Sequence, residues 1–204
     1  MDAGTTWSIT LTDGKTMTYR IIGINHDDLA DGSGKAGLTF LTTSTNIKTG
    51  MNPTNTNAGG WERSELRAKV NSGEIWNLMP PELQSKVKSV EKLTNNVGNG
   101  DENAAVTATT DKLFLLSYSE IVPTSWWAPS YPYTSSEGTQ YEAFKGRVTN
   151  NYSDNSAIAI GSRWWERSVA PGIPACFLNV NGNGLPSSNR GAAESYCICP
   201  AWCF

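Results

Sequence analysis

Turn-forming residues interrupt this chain so often that no regular segment can run long. Nineteen glycines and ten prolines are spread over 204 residues, with Asn, Ser and Thr crowded between them. Glycine and proline punctuate secondary structure, and Asn, Asp and Ser draw the backbone into turns through their own side-chain hydrogen bonds. Apolar residues therefore fall in short strings. The string Leu113-Phe114-Leu115-Leu116 is too short for an independent helix and fits a fully buried strand. A loop-rich α+β fold with one sizeable core follows, and the length suits a single domain spanning 1–204.

Periodicity places short helices in the first half. Trp7, Ile9 and Leu11 alternate with polar residues, Asp13-Gly14 supplies a turn, and Met17, Tyr19, Ile21 and Ile22 return, so 6–24 reads as a hairpin. Residues 25–37 read as a solvated turn in which Asp27, Asp28 and Asp31 miss the spacing of a calcium loop. A short strand over Leu38 to Thr42 and a polar linker over 43–60 come next. Trp61, Leu66 and Val70 then share a helical face closed by Asn71-Ser72-Gly73. A shorter helix over Glu74 to Met79 follows, and Pro80-Pro81-Glu82 opens a third, with Lys86 and Lys88 near its end. Val90 to Leu93 reads as a strand leading into a polar loop at 94–103. Beyond Leu116 only a turn near Tyr141 to Phe144 is helical, while Ala157 to Ile160, Trp164-Trp165 and Phe177 to Val180 read as short strands.

Charge and motif content narrow the function classes. Net charge is −3 and the 16 basic residues are scattered, whereas counterion-release binding to nucleic acid needs a clustered basic face. No apolar run approaches the roughly 18 residues needed to cross a bilayer. Met1-Asp2-Ala3-Gly4 lacks a charged segment followed by an apolar one, so no secretory signal is expected. His26 is the single histidine, no G-x-S-x-G accompanies it, and there is neither a P-loop nor a dinucleotide fingerprint. Glu120, Glu137, Glu142 and Glu166 are candidate paired carboxylates only because they lie near aromatics. The reading is a non-enzyme with no catalytic residues, no metal and no cofactor.

The aromatic and cysteine content says more. Eight tryptophans amid Gly, Asn and Ser match the composition of recognition surfaces, where rigid rings give contact area and small polar residues adapt. Trp126, Trp127 and Tyr131 sit in a Pro-rich loop that either displays its rings or folds back over the core. Trp164-Trp165, flanked by Arg163 and Arg167, reads as structural, with one ring packed inward and an arginine bracing a carboxylate or a backbone oxygen. Cys176, Cys197, Cys199 and Cys203 read as free, partly buried thiols, with a disulfide as the alternative. Their spacing lacks the paired C-x2-C or added histidines of zinc sites.

Four strings in order carry a resemblance: G-G-W-x-x-S-x-L-R from Gly59, D-K-L-F-L-L-S-x-x-E from Asp111, R-x-W-x-R-S from Arg163, and F-x-N-V-N-x-x-G from Phe177. Together they resemble a family of domains from Firmicutes and their phages, similar to the C-type-lectin and formylglycine-generating-enzyme fold. Some members resemble variable proteins of diversity-generating retroelements, in which Asn-type codons of a C-terminal stretch are rewritten. Phe177, Asn179-Val180-Asn181, Asn183-Gly184, Asn189, Ile198 and Pro200 match unaltered positions of that pattern. Gly182, Leu185, Ser187, Ser188, Arg190, Ala193, Ser195 and Tyr196 then stand in rewritten slots. Ala175, Leu178 and Glu194 complete a ligand-binding segment over 175–196, with Trp126, Trp127 and Tyr131 as flanking aromatics. Cys197 and Cys199 depart from the pattern. The resemblance implies a receptor-binding protein of a phage tail tip, trimeric if so, or a cell-surface adhesin. Its ligand would be a protein or glycan on a bacterial surface, with no nucleic acid and no membrane insertion. An enzyme of the formylglycine-generating-enzyme-like fold and a structural virion or cell-wall module are the alternatives.

Overall fold

A computed structural model of the chain describes residues 5–204. The reading of Met1-Asp2-Ala3-Gly4 lies outside these residues. The first hairpin forms as its alternation dictates. Strand β1 (Trp7–Thr10) pairs antiparallel with β2 (Thr16–Ile24), Ile9 opposite Met17. Gly14 holds a left-handed φ of +82° in the turn, a conformation that glycine adopts without steric cost. Strand β2 then pairs with β3 (Leu38–Ser44).

Two five-stranded sheets carry the fold. The second contains β4 (Lys48–Thr49) at its edge. Strands β5 (Val90–Asn95) and β6 (Val106–Asp111) form a separate antiparallel pair. The remaining strands are β7 (Leu113–Phe114), β8 (Trp164–Val169), β9 (Cys176–Val180), β10 (Ser188–Gly191), β11 (Tyr196–Cys197) and β12 (Ala201–Cys203). The first sheet runs β1-β2-β3-β12-β7 and the second β10-β9-β8-β11-β4. Strand β12 thus lies between β3 and β7, joining distant stretches of chain. Its Trp202 stacks on Phe40 at 5.7 Å and meets Tyr19 edge-on at 5.1 Å.

The helices are short, and their ends are defined by side chains. In α1 (Glu65–Asn71) the Ser64 hydroxyl caps the first turn by accepting from the Arg67 amide at 3.1 Å, and Leu66 and Val70 are buried. Trp61 precedes the helix and donates its indole N–H to Asp111 at 2.9 Å, where Arg67 also binds at 2.7 Å. Helices α2 (Glu74–Leu78) and α3 (Pro81–Gln84) follow. Helix α3 stops at Gln84, so Lys86 and Lys88 lie beyond it. Helix α4 (Tyr118–Ile121) lies beyond Leu116, where the sequence reads as helical only near Tyr141 to Phe144; a reciprocal capping box between Ser117 and Glu120 closes this single turn, too short to show periodicity.

Several elements depart from the expectations. Residues 43–60 are no linker: they contain β4, Met51 and Asn57 are fully buried, and the Met51 amide donates to Ala192 at 2.8 Å. Strand β6 escaped notice because only Thr109 and Asp111 along it are buried, which leaves no apolar alternation to detect. Strand β5 reaches Asn95, shortening the loop expected from 94. Ala157 to Ile160 is not a strand. Asn155 organises it as a turn, its Oδ1 accepting from the Ala157 amide at 2.9 Å. Both tryptophans of Trp164-Trp165 are buried, where one was expected inward.

Two glycines offer a controlled test. An added Cβ at Gly14 meets nothing within 4 Å, whereas at Gly60 (φ +53°) it would stand 2.0 Å from the Asn95 carbonyl. Gly14→Ala should cost about 1 kcal/mol, from backbone strain alone, and Gly60→Ala at least ~3 kcal/mol. Urea denaturation of both variants measures the difference.

Candidate functional site

Beneath the candidate surface lies a buried ionic network anchored on β8, all of whose residues are buried. The Arg167 guanidinium grips Glu120 with two bonds of 2.6 and 3.0 Å. It also donates to the carbonyls of Leu115, Glu137 and Leu93, and to the Thr94 hydroxyl. Lys92 binds Glu120 at 2.5 Å and Asp27 at 2.6 Å, while its ammonium lies 4.3 Å from the Phe114 ring centroid. Asp27 also accepts from Tyr141 at 2.9 Å and from Thr39 at 2.5 Å. Asp27 is therefore a core residue at 4% exposure, not part of a solvated turn. Burial alone would push the carboxyls of Asp27 and Glu120 up. Lys92 and the hydrogen bonds of Lys92, Thr39 and Tyr141 outweigh it at Asp27, and Arg167 and Lys92 do so at Glu120, so both stay below the usual carboxylate range.

Two further glutamates in this interior behave differently. Glu137 accepts from the Asn95 amide at 2.8 Å and from the Ser168 hydroxyl, yet burial raises its pKa to about 7. Glu166 is fully buried, and neither of its carboxyl oxygens has a hydrogen-bond partner among the described residues. Burial, then the charge of Glu137, pushes its carboxyl well above the ordinary value. Of the four glutamates paired on sequence, Glu120, Glu137 and Glu166 do gather, but inside the protein at 1% exposure or less. Glu142 is apart from them, 3.2 Å from His26.

The segment 175–196 is built on this base as a hairpin. Strand β10 pairs with β9, setting Arg190 opposite Phe177 and Ser188 opposite Asn179. Phe177, Leu178, Asn179 and Val180 are buried. Leu178 is a correction to the candidate set: with no exposed surface it fills the core and cannot touch a ligand. Ala175, Gly182, Leu185, Ser187, Ser188, Arg190 and Tyr196 are half-buried, and Ala193, Glu194 and Ser195 are exposed.

Fixed side chains brace this surface from below. Arg163 donates to Asn179 at 2.5 Å and to Ser188 at 2.6 Å, and its guanidinium lies 5.5 Å from the Tyr196 ring centroid. Tyr196 packs edge-on against Trp165 at 5.3 Å and donates its hydroxyl to Glu194. That bond holds the Glu194 carboxyl low and the Tyr196 phenol high. Asn55 accepts from the Ala193 amide at 2.9 Å. Lys48, Ser162, Arg163, Ser195 and Tyr196 line a shallow hollow of about 170 Å³. Sequence reasoning missed Lys48 and Asn55, since nothing local marks two residues of a polar stretch as neighbours of the terminal segment.

The flanking aromatics divide. Trp126 is 68% exposed, Trp127 and Tyr131 are half-buried, and Tyr133 is buried. Trp127 lies 5.4 Å from Trp126 and 5.2 Å edge-on from buried Tyr118, so the loop both displays a ring and folds back. Trp126, Asn151, Tyr152 and Ser187 surround an open hollow of about 360 Å³. The structure thus joins Trp126 to the candidate segment at Ser187. Tyr152, 80% exposed, was missed, although a lone ring in the Asn/Ser-rich run 150–156 is the kind of signal that marks one. The four cysteines are free, with Cys197, Cys199 and Cys203 buried and Cys176 half-buried. No helix among the described residues is long and apolar enough to cross a membrane.

The chain belongs to the family described as Domain of unknown function (DUF6273), whose model matches residues 36–204. No curated protein and no solved structure matches it.

Two measurements probe the interior. Replacing Arg167 by Met leaves Glu120 partly uncompensated and should cost about 3–5 kcal/mol in denaturant unfolding, as for other broken buried pairs. The pH dependence has two opposing limbs. Glu137, with its raised pKa of about 7, contributes stability that is complete below the unfolded value and is lost as pH rises toward 7. Asp27 and Glu120, held low, contribute stability at neutral pH that is lost in acid. Glu137→Gln should remove the share of the decline between about pH 5 and 7 that Glu137 supplies, at most about 3 kcal/mol, while Glu166, raised in the same direction, keeps its own share and the acid limb stays intact. Thermal unfolding across that range reads both limbs.

Proposed function

We propose that this protein is a ligand-binding protein whose terminal segment supplies a replaceable contact face on a C-type-lectin-like core. The observation that carries this reading is the contrast along one stretch of chain. Strand β8 and residues 197–203 are wholly buried, whereas every candidate position between them except Leu178 is at least partly accessible. Substitutions on accessible side chains away from caps and buried contacts change stability little. The backbone that displays them is fixed independently, through the β9–β10 register and the bonds of Asn55 and Arg163 to main-chain and invariant-type groups. The match of Asn and Gly positions to retroelement variable proteins supports diversification of this face.

The lectin-like description is supported by the short helices of the first half, the loop-rich second half and the last strand inserted between β3 and β7. The ligand is a protein or glycan on a bacterial surface, and the protein acts at a phage tail tip or as a cell-surface adhesin. Lys48, Arg163 and Arg190 near the face give it a positive side, balanced by Glu194.

Grafting a related sequence onto 175–196, with Leu178 retained, should keep the melting temperature within a few degrees and change which bacterial strains the protein binds in a whole-cell assay. An unchanged strain profile would refute the assignment of the face. Leu178→Asn, by contrast, should cost about 3 kcal/mol or more, because it empties apolar volume and buries an unpaired amide.

A further inference from the structure

The hollow between the aromatic loop and the candidate segment differs from the rest of the surface. Its lining is Trp126, Asn151, Tyr152 and Ser187, with no charged side chain among them. Two large aromatic rings stand exposed there, Trp126 at 68% and Tyr152 at 80%. Leaving such rings in water forgoes burial that a fold would otherwise use. Trp126 is also held from behind. The ring series Trp126, Trp127, Tyr118 leads from solvent to a fully buried side chain, with centroid steps of 5.4 and 5.2 Å. The opposite wall is tied down too, since the Ser187 hydroxyl donates to the Asn151 carbonyl at 2.6 Å. A platform ordered in advance loses less side-chain entropy when a ligand arrives.

We propose that this hollow binds one or two rings of a neutral saccharide, an inference that rests on the ligand-binding reading above. A pyranose has an apolar face formed by its axial C–H groups and a rim of hydroxyls. The Trp126 ring offers a flat partner for that face. The exposed Tyr152 hydroxyl and the half-buried Ser187 hydroxyl are neutral groups able to exchange hydrogen bonds with the rim, while Asn151 is itself buried. A neutral lining gives no counter-charge to a phosphate or carboxylate, which sets this hollow apart from the one beside Lys48 and Arg163. An open hollow of about 360 Å³ has room for a mono- or disaccharide. Ser187 stands in a rewritten slot, so replacing it would change which sugar is preferred while Trp126 keeps the stacking.

The test is saturation-transfer difference NMR on the full chain with methyl glucoside, cellobiose, maltose and N,N′-diacetylchitobiose as probes, together with whole-cell binding. At least one sugar should receive saturation on its ring C–H protons. Trp126→Ala should weaken that sugar at least tenfold, and Ser187→Asn should reorder the four sugars. Trp126→Phe, which retains a ring, should recover part of the affinity and shows that loss in the alanine variant is not misfolding. Absence of saturation transfer to all four probes, or transfer unchanged by Trp126→Ala, overturns the inference. Cell binding separates the two readings. If cells still bind and a 175–196 graft still redirects them, the ligand-binding assignment stands and the saccharide alone is wrong. If a graft changes nothing while sugars bind at Trp126, the variable face is wrong and the hollow stands.

Discussion

Arg167 reaches from β8 into the junction of three otherwise separate stretches of chain. Its guanidinium binds both oxygens of Glu120 on α4, the carbonyls of Leu93 and Glu137, and the carbonyl of Leu115 beside β7. Lys92 extends the contact from Glu120 to Asp27, which in turn holds Thr39 of β3 and Tyr141. A charge pair taken out of water gains stability only when its geometry is good and its remaining donors are satisfied. Here the satisfying partners come from β3, β5, α4 and the loop at 137–141, so forming the network requires the whole fold to assemble. The same logic sets Glu166 apart: burial and the charge of Glu137 raise its carboxyl well above the ordinary value against the opposing pull of Arg167, and its oxygens have no hydrogen-bond partner among the described residues.

The network lies under β8, and β8 carries the hairpin that displays the candidate face. Strand β9 pairs with β8 and β10 with β9, so Ser188 and Arg190 on β10 sit two strands from the ionic interior, while Tyr196 on β11 is one strand away. Cys197 of β11 pairs with Trp164 on the other side, and β12 returns to the first sheet. The terminal segment is therefore clamped at both ends by buried strands. Its middle contributes little to the core beyond β9 itself.

Much of the scaffold was legible in the sequence because local patterns coincide with burial. The first hairpin, the Ser64-capped helix, the buried strand at Leu113 and the anchors around Trp164 and Ile198 all carry apolar periodicity or turn chemistry of their own. What was not legible depends on partners far along the chain. The string W-E-R-S occurs twice, with Glu62 and Arg63 exposed in one copy and Glu166 and Arg167 fully buried in the other. No local signal distinguishes them. Strand β6 hides for a related reason, since its polar residues pair with β5 and only two of them turn inward. At the candidate site the sequence placed the segment and Trp126, but Leu178 resembled its neighbours in pattern while facing the core. Tyr152 follows Asn151, whose carbonyl accepts from the distant Ser187, a contact that no local pattern marks.

If the β8 and β12 interior holds the fold, its stability is independent of the displayed face. Native-state hydrogen exchange tests it most directly. A variant with Ser187, Ser188, Arg190, Ala193, Glu194, Ser195 and Tyr196 replaced together is compared with the parent. Amides of Trp164–Val169 and Ala201–Cys203 should keep opening free energies within about 1 kcal/mol of the parent, at the level of global unfolding. Loss of protection in those strands, comparable to that produced by Arg167→Met, would contradict it.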